Sequence, residues 1–87
     1  MKIEQQIDMI KLIRKTHEIE AKVWRDLPES PKATKLARQT HADTAEVCEE
    51  YVKACTAVIE SLEKLKAMTA FLKAMTAFVE NLPEPKE

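Results

Sequence analysis

From Lys32 to Leu82 the chain contains neither proline nor glycine, and this unbroken run limits the fold more than any other feature. Proline and glycine are the residues that cost most inside a helix, so nothing in the run forbids one continuous helix. Its apolar positions can be written in alternating steps of three and four: Ala37, Thr40, Thr44, Val47, Tyr51, Ala54, Val58, Ser61, Leu65, Met68, Leu72, Met75, Val79 and Leu82. A seven-residue repeat kept over this distance predicts left-handed coiled-coil packing. Within it, the segment Leu65-Lys-Ala-Met-Thr-Ala-Phe71 recurs unchanged as residues 72–78. Seven residues make two helical turns, so the duplication lengthens a helix by about 10.5 Å while keeping its seam in phase.

Two places inside the run invite a break. Lys32, Lys35 and Arg38 precede Asp43, Glu46, Glu49 and Glu50, and Asp43 and Glu46 have the spacing of a capping box. Residues 56–61 are where a fold-back would give three helices of similar length. Neither place carries turn chemistry, and the heptad phase crosses both. One helix is the expectation.

Upstream, Leu27-Pro28-Glu29-Ser30-Pro31 is a compact break. Pro28 disfavours helix before it, while Ser30 and Pro31 read as cap and first helical residue of the second helix. The predicted organisation is a single helical domain over 1–82: helix about 2–26, turn 27–30, helix about 31–82. A polar, proline-rich tail occupies 83–87. The first helix spreads Ile3, Ile7, Met9, Ile10, Leu12, Ile13, Ile19, Ala21, Val23, Trp24 and Leu27 over about two thirds of its circumference, more than one partner helix covers.

These elements make an all-α antiparallel hairpin with a short first helix and a long second one. At 1.5 Å per residue the two measure about 37 and 78 Å, so the first reaches only to about residue 56 of the second. Beyond it lie Val58, Leu62, Leu65, Met68, Phe71, Leu72, Met75, Phe78, Val79 and Leu82. Burying one such side chain is worth about 1.5–3 kcal/mol, so ten uncovered ones predict self-association into a helical bundle, with a four-helix arrangement near its centre. The competing architecture is a monomeric three-helix bundle, which needs the fold-back.

Composition narrows the function. The chain has 87 residues, 45% hydrophobic and 33% charged, too apolar for disorder. With no glycine there is no P-loop, dinucleotide-binding turn or nucleophile elbow. A formal charge of −1 supplies no general attraction to nucleic acid. The start, MKIEQQID, lacks the apolar core of a signal peptide, and Lys66, Lys73, Glu80 and Asn81 interrupt the most apolar stretch. A cytoplasmic protein without a membrane span is expected. Cys48 and Cys55 stand seven residues apart, about 10.5 Å along one helix face, too far for an intrachain disulfide.

Three polar constellations bear on chemistry. A turn centred near Glu29 would set His17 opposite His41 with Glu20 one turn away, a candidate half-site for zinc or iron. The order His-x-x-Glu is the reverse of the Glu-x-x-His used in di-iron bundles and occurs once, so no metal or other cofactor is expected. Acidic neighbours of Cys48 raise its pKa, the wrong direction for a nucleophile. Lys32, Lys35, Arg38 and Arg25 form a basic cluster beside an acidic one, a weak footprint for nucleic acid. The expectation is a non-enzymatic protein–protein interaction module, an adaptor or inhibitor working as a helical homodimer and binding another protein. The alternative is a small regulatory nucleic-acid-binding helical protein.

Overall fold

The computed structural model describes residues 1–28 and 30–84. It contains two helices, α1 (Ile3–Asp26) and α2 (Lys35–Glu80), packed as an antiparallel hairpin. Among the described residues there is no strand. The molecule measures 88 × 17 × 16 Å. The fold-back bundle is not formed, because α2 runs unbroken through 41–43 and 56–61. Asp43, the candidate internal cap, instead accepts from Gln39 Nε2 at 2.8 Å, an ordinary i,i+4 pair on the helix surface.

Helix α1 starts where Gln5 Oε1 accepts the Lys2 backbone N–H at 3.0 Å, satisfying one of the donors that a helix start leaves open. It ends at Asp26, ahead of Pro28, as the sequence predicts. The start of α2 differs from the predicted position near residue 31. Ser30 accepts the Ala33 N–H at its carbonyl (2.8 Å) and the Lys32 N–H at its Oγ (3.2 Å), which closes a turn over Pro31 and Lys32. Proline is favoured at the second position of such a turn, and here it serves the turn rather than the helix. The cap is Thr34, whose Oγ1 accepts the Ala37 N–H at 3.1 Å. At the far end Asn81 closes α2 by donating its backbone N–H to Ala77 and Phe78 and its Nδ2 to Ala77 (2.9 Å). Of the tail, residues 85–87 lie outside the described residues, as does Glu29 of the turn.

The longer connection slides the helices along each other. Facing residues have numbers adding to about 68 rather than 58, as the pairs Glu20–Cys48 and Arg14–Thr56 show. The first helix therefore reaches further than predicted, to Lys66, whose Nζ lies 2.9 Å from Glu4.

The seam between the helices is also one residue out of phase with the predicted one. On α2 it follows His41, Ala45, Cys48, Val52, Cys55, Ile59 and Leu62; on α1, Ile3, Ile7, Ile10, Arg14, His17, Ala21 and Trp24. Ile7, Ala21, Ala45, Cys48 and Ile59 are the buried core, and Ala45 is fully covered. Small residues dominate it because short side chains let two helices approach closely. Arg25 crosses the seam near the turn and grips Glu49 through two hydrogen bonds, 2.5 and 2.8 Å.

Candidate interaction surface

A seam one residue away from the predicted heptad leaves that heptad pointing outward. A step of one residue is about 100° on a helix, so α2 carries two apolar stripes: one under α1, the other uncovered along nearly its whole length. Val47, Tyr51, Val58, Leu65, Met68, Leu72, Met75, Val79 and Leu82 all lie on the second stripe and are all exposed. Ile59 and Val58 show the contrast between neighbours, at 4% and 44% exposure. From Leu65 onward every described residue of α2 is exposed, and this part is a bare rod.

Nine of the ten residues predicted for self-association stand exposed: Val58, Leu65, Met68, Phe71, Leu72, Met75, Phe78, Val79 and Leu82. Leu62 alone is half-buried, at the last layer of the seam with α1. Phe71 (63% exposed) and Phe78 (67%) lie on one flank of the stripe, and Thr69 and Thr76 on the other. Helical phase puts Lys66, Lys73 and Glu80 away from it.

The serine and threonine hydroxyls on and beside the stripe make no demand on a partner. Thr44, Ser61, Thr69 and Thr76 each donate to the carbonyl four residues back, at 2.7 to 3.0 Å. Satisfied in this way, they present mainly carbon, and covering them leaves no orphaned donor. A shallow groove on the rod is lined by Leu72, Met75, Thr76, Val79 and Glu80.

On α1, Met9, Leu12, Ile13, Ile19 and Val23 are likewise exposed. Helical phase places Met9, Ile13 and Val23 toward the side of the hairpin where Val47 and Tyr51 emerge from α2, and Leu12 and Ile19 on the face of α1 turned away from α2. The other side is charged: Glu18, Lys22, Arg25, Asp26, Glu49 and Lys53 surround a cleft with Ala21 and Val52 at its base. The pairing with Arg25 holds the Glu49 carboxyl below its ordinary range and raises the Arg25 guanidinium.

The candidate metal half-site does not assemble. His17 packs at a tilt against Tyr51 (centroids 5.0 Å apart) and His41 against Trp24 (5.3 Å), two layers apart along the hairpin. The shift in register separates them, and Glu20 faces Cys48. Glu20 Oε2 lies 3.6 Å from His17 Nδ1 and accepts the Cys48 thiol at 3.7 Å. Among the described residues no group of three or more His, Cys, Asp or Glu is disposed to hold a metal ion. Burial pushes the Cys48 thiol up, and the charge and hydrogen bond of Glu20 add to this. Both cysteines are free. Of the basic cluster, Arg25 is engaged by Glu49 and Arg38 donates to the Ala33 carbonyl at 3.3 Å.

No helix among the described residues is long and apolar enough to cross a membrane. Comparison with protein-family models, with curated proteins and with solved structures yields no match for this chain.

Proposed function

We propose that this chain is a small non-enzymatic interaction module, an adaptor or inhibitor that works as a helical homodimer joined through its rod. One observation carries the reading: the most apolar part of the chain, from Leu65 to Leu82, stands exposed, with no other described element of the chain packed over it. Water does not tolerate such a face for long, and an exposed apolar patch of this size marks a protein interface. Eight large side chains, each about half exposed or more, offer on the order of 800 Å² per chain, the share of one partner in a standard specific interface. The stripe contains no charged residue, so nothing in it opposes a second copy. In the dimer the rods form the joint and the hairpins remain at its ends, free to engage another protein.

Sedimentation equilibrium tests the joint. The unmodified chain is expected at twice its 10.0 kDa mass. Leu72→Glu, which would bury an unpaired charge in each subunit, is expected to sediment as a monomer or unfold. Lys73→Glu, one residue away on the polar strip, is expected to stay dimeric. A folded wild-type monomer at high micromolar concentration, indifferent to dilution, ends the reading.

A further inference from the structure

We propose that two rods pair antiparallel about a two-fold axis between Met68 and Leu72, and that the duplicated heptad gives this pairing two registers one heptad apart. The proposal rests on the homodimer reading above. About that axis every layer of the exposed stripe from Val58 to Leu82 finds a partner. Met68 meets the partner's Leu72, Leu65 meets the partner's Met75, and Val58 at the inner end meets the partner's Leu82.

The flanks decide the orientation. In an antiparallel helix pair, like flanks meet; in a parallel pair, each flank meets the opposite one. Antiparallel rods therefore bring Phe71 onto the partner's Phe71 at the axis and set threonine flank against threonine flank. Aromatic pairs of this kind contribute about 0.5–1.5 kcal/mol beyond the area they bury. A parallel pair would leave each phenylalanine beside a threonine at the edge of the interface.

The second register comes from the repeat. Sliding the partner by seven residues, about 10.5 Å, again puts leucine against methionine at the axis, because residues 65–71 and 72–78 are identical. The slide removes the outer layers made by Val58 and Ser61. It replaces one Phe71 pair at the axis with two pairs of Phe71 and the partner's Phe78. A loss at the ends is offset by a gain at the centre, so both registers are populated.

Distances between paired nitroxide labels test this, with Glu63→Cys and Ala77→Cys made separately in a Cys48→Ala, Cys55→Ala chain. Along the rod axis, labels at 63 should stand about 21 Å apart in the first register and about 32 Å in the second. Labels at 77 should stand about 21 and about 11 Å apart, so the slide moves the two sites in opposite directions. Two populations at each site, with those at 63 merging into one when residues 72–78 are deleted, support the proposal. One population at each site refutes the pair of registers. A single short separation at both 63 and 77, about the 8–10 Å between neighbouring helix axes plus the reach of the labels, refutes the antiparallel orientation. If sedimentation finds only monomers, it is the homodimer reading that has failed. Should the cysteine-free chain misfold, the unaltered sequence carrying fluorophenylalanine at its only two phenylalanines provides the same check. Two registers in slow exchange give four fluorine resonances, and one register gives two.

Discussion

The two halves of α2 have the same helical geometry and opposite situations. Between His41 and Leu62 one apolar stripe is covered by α1, and alanine and cysteine at its centre let the helices close together. Beyond Lys66 there is no α1, and leucine, methionine and phenylalanine replace the small residues. Small residues suit a seam already closed within one chain, and large ones offer area to a partner yet to arrive. The lesson is that local helical pattern and tertiary burial are separate quantities. The heptad continues through both halves, but only position relative to α1 decides whether a stripe is core or surface.

Breaking the continuity between the halves should have the largest effect. Ala42 is exposed, so Ala42→Pro removes no packing; it deletes a backbone hydrogen bond and drives a ring into the preceding turn. A loss of at least about 3 kcal/mol in urea denaturation is expected. A near-neutral result would mean that α2 tolerates a break there and that the rod is not rigidly continuous with the hairpin.

Next comes a matched pair of truncations. Ile59→Ala opens a cavity under α1 and should cost about 2–5 kcal/mol. Leu72→Ala, on the rod, should leave the fold of the single chain intact and weaken the dimer. Melting at several protein concentrations separates the two. The Leu72→Ala deficit should grow on dilution, and the extra deficit of Ile59→Ala should not. Equal concentration dependence in both would show that hairpin and rod do not play the distinct parts assigned to them.

How much of this is legible in the sequence depends on the residue. The break before Pro28, the continuity of α2 and the absence of a turn at 56–61 are all readable, because proline and glycine act locally and are visible wherever they occur. The register is not, because Ser30-Pro31 has the chemistry of a helix start as well as of a turn, and Thr34, a comparable cap, stands four residues after Ser30. The phase of the seam is hidden for another reason. Two heptads one residue apart coexist in α2, and hydrophobicity alone selects the stronger one, with Val47, Tyr51 and Val58, which is the wrong one for the intrachain seam. The useful signal lies in side-chain size: Ala45 and Cys48 permit close approach to Ala21, and bulky residues do not. Leu62 falls on the uncovered side of the sequence reading because the same error in register shortens the reach of α1.

Thr34→Ala separates the two ways of starting α2 and should have a smaller effect. Loss of the side-chain acceptor for the Ala37 N–H should cost about 1 kcal/mol. Ser30→Ala, outside the helix, should cost less. If Ser30→Ala proves the more damaging, the helix starts near residue 31, where the sequence alone places it.

The smallest effect concerns the Arg25–Glu49 clamp, which belongs to the hairpin alone. Hydrogen bonding to Arg25 holds the Glu49 carboxyl below its ordinary value of 4.5, so the folded state favours the carboxylate more than the unfolded state does. A depressed carboxyl adds stability that is present above its unfolded pKa and lost as pH falls through the folded one. The raised Arg25 guanidinium works in the opposite sense and matters only under strongly basic conditions. Both groups face solvent, and an exposed pair of this kind is screened by salt. Glu49→Gln should therefore melt slightly below the wild type at neutral pH and low salt. The gap should close on acidification below the ordinary carboxylate range, and also in high salt at neutral pH. Because other titrating groups are common to both chains, they cancel in the difference. A gap that persists unchanged into strong acid would mean that Glu49 acts through its packing over the cleft beside Val52 and Lys53, not through its charge.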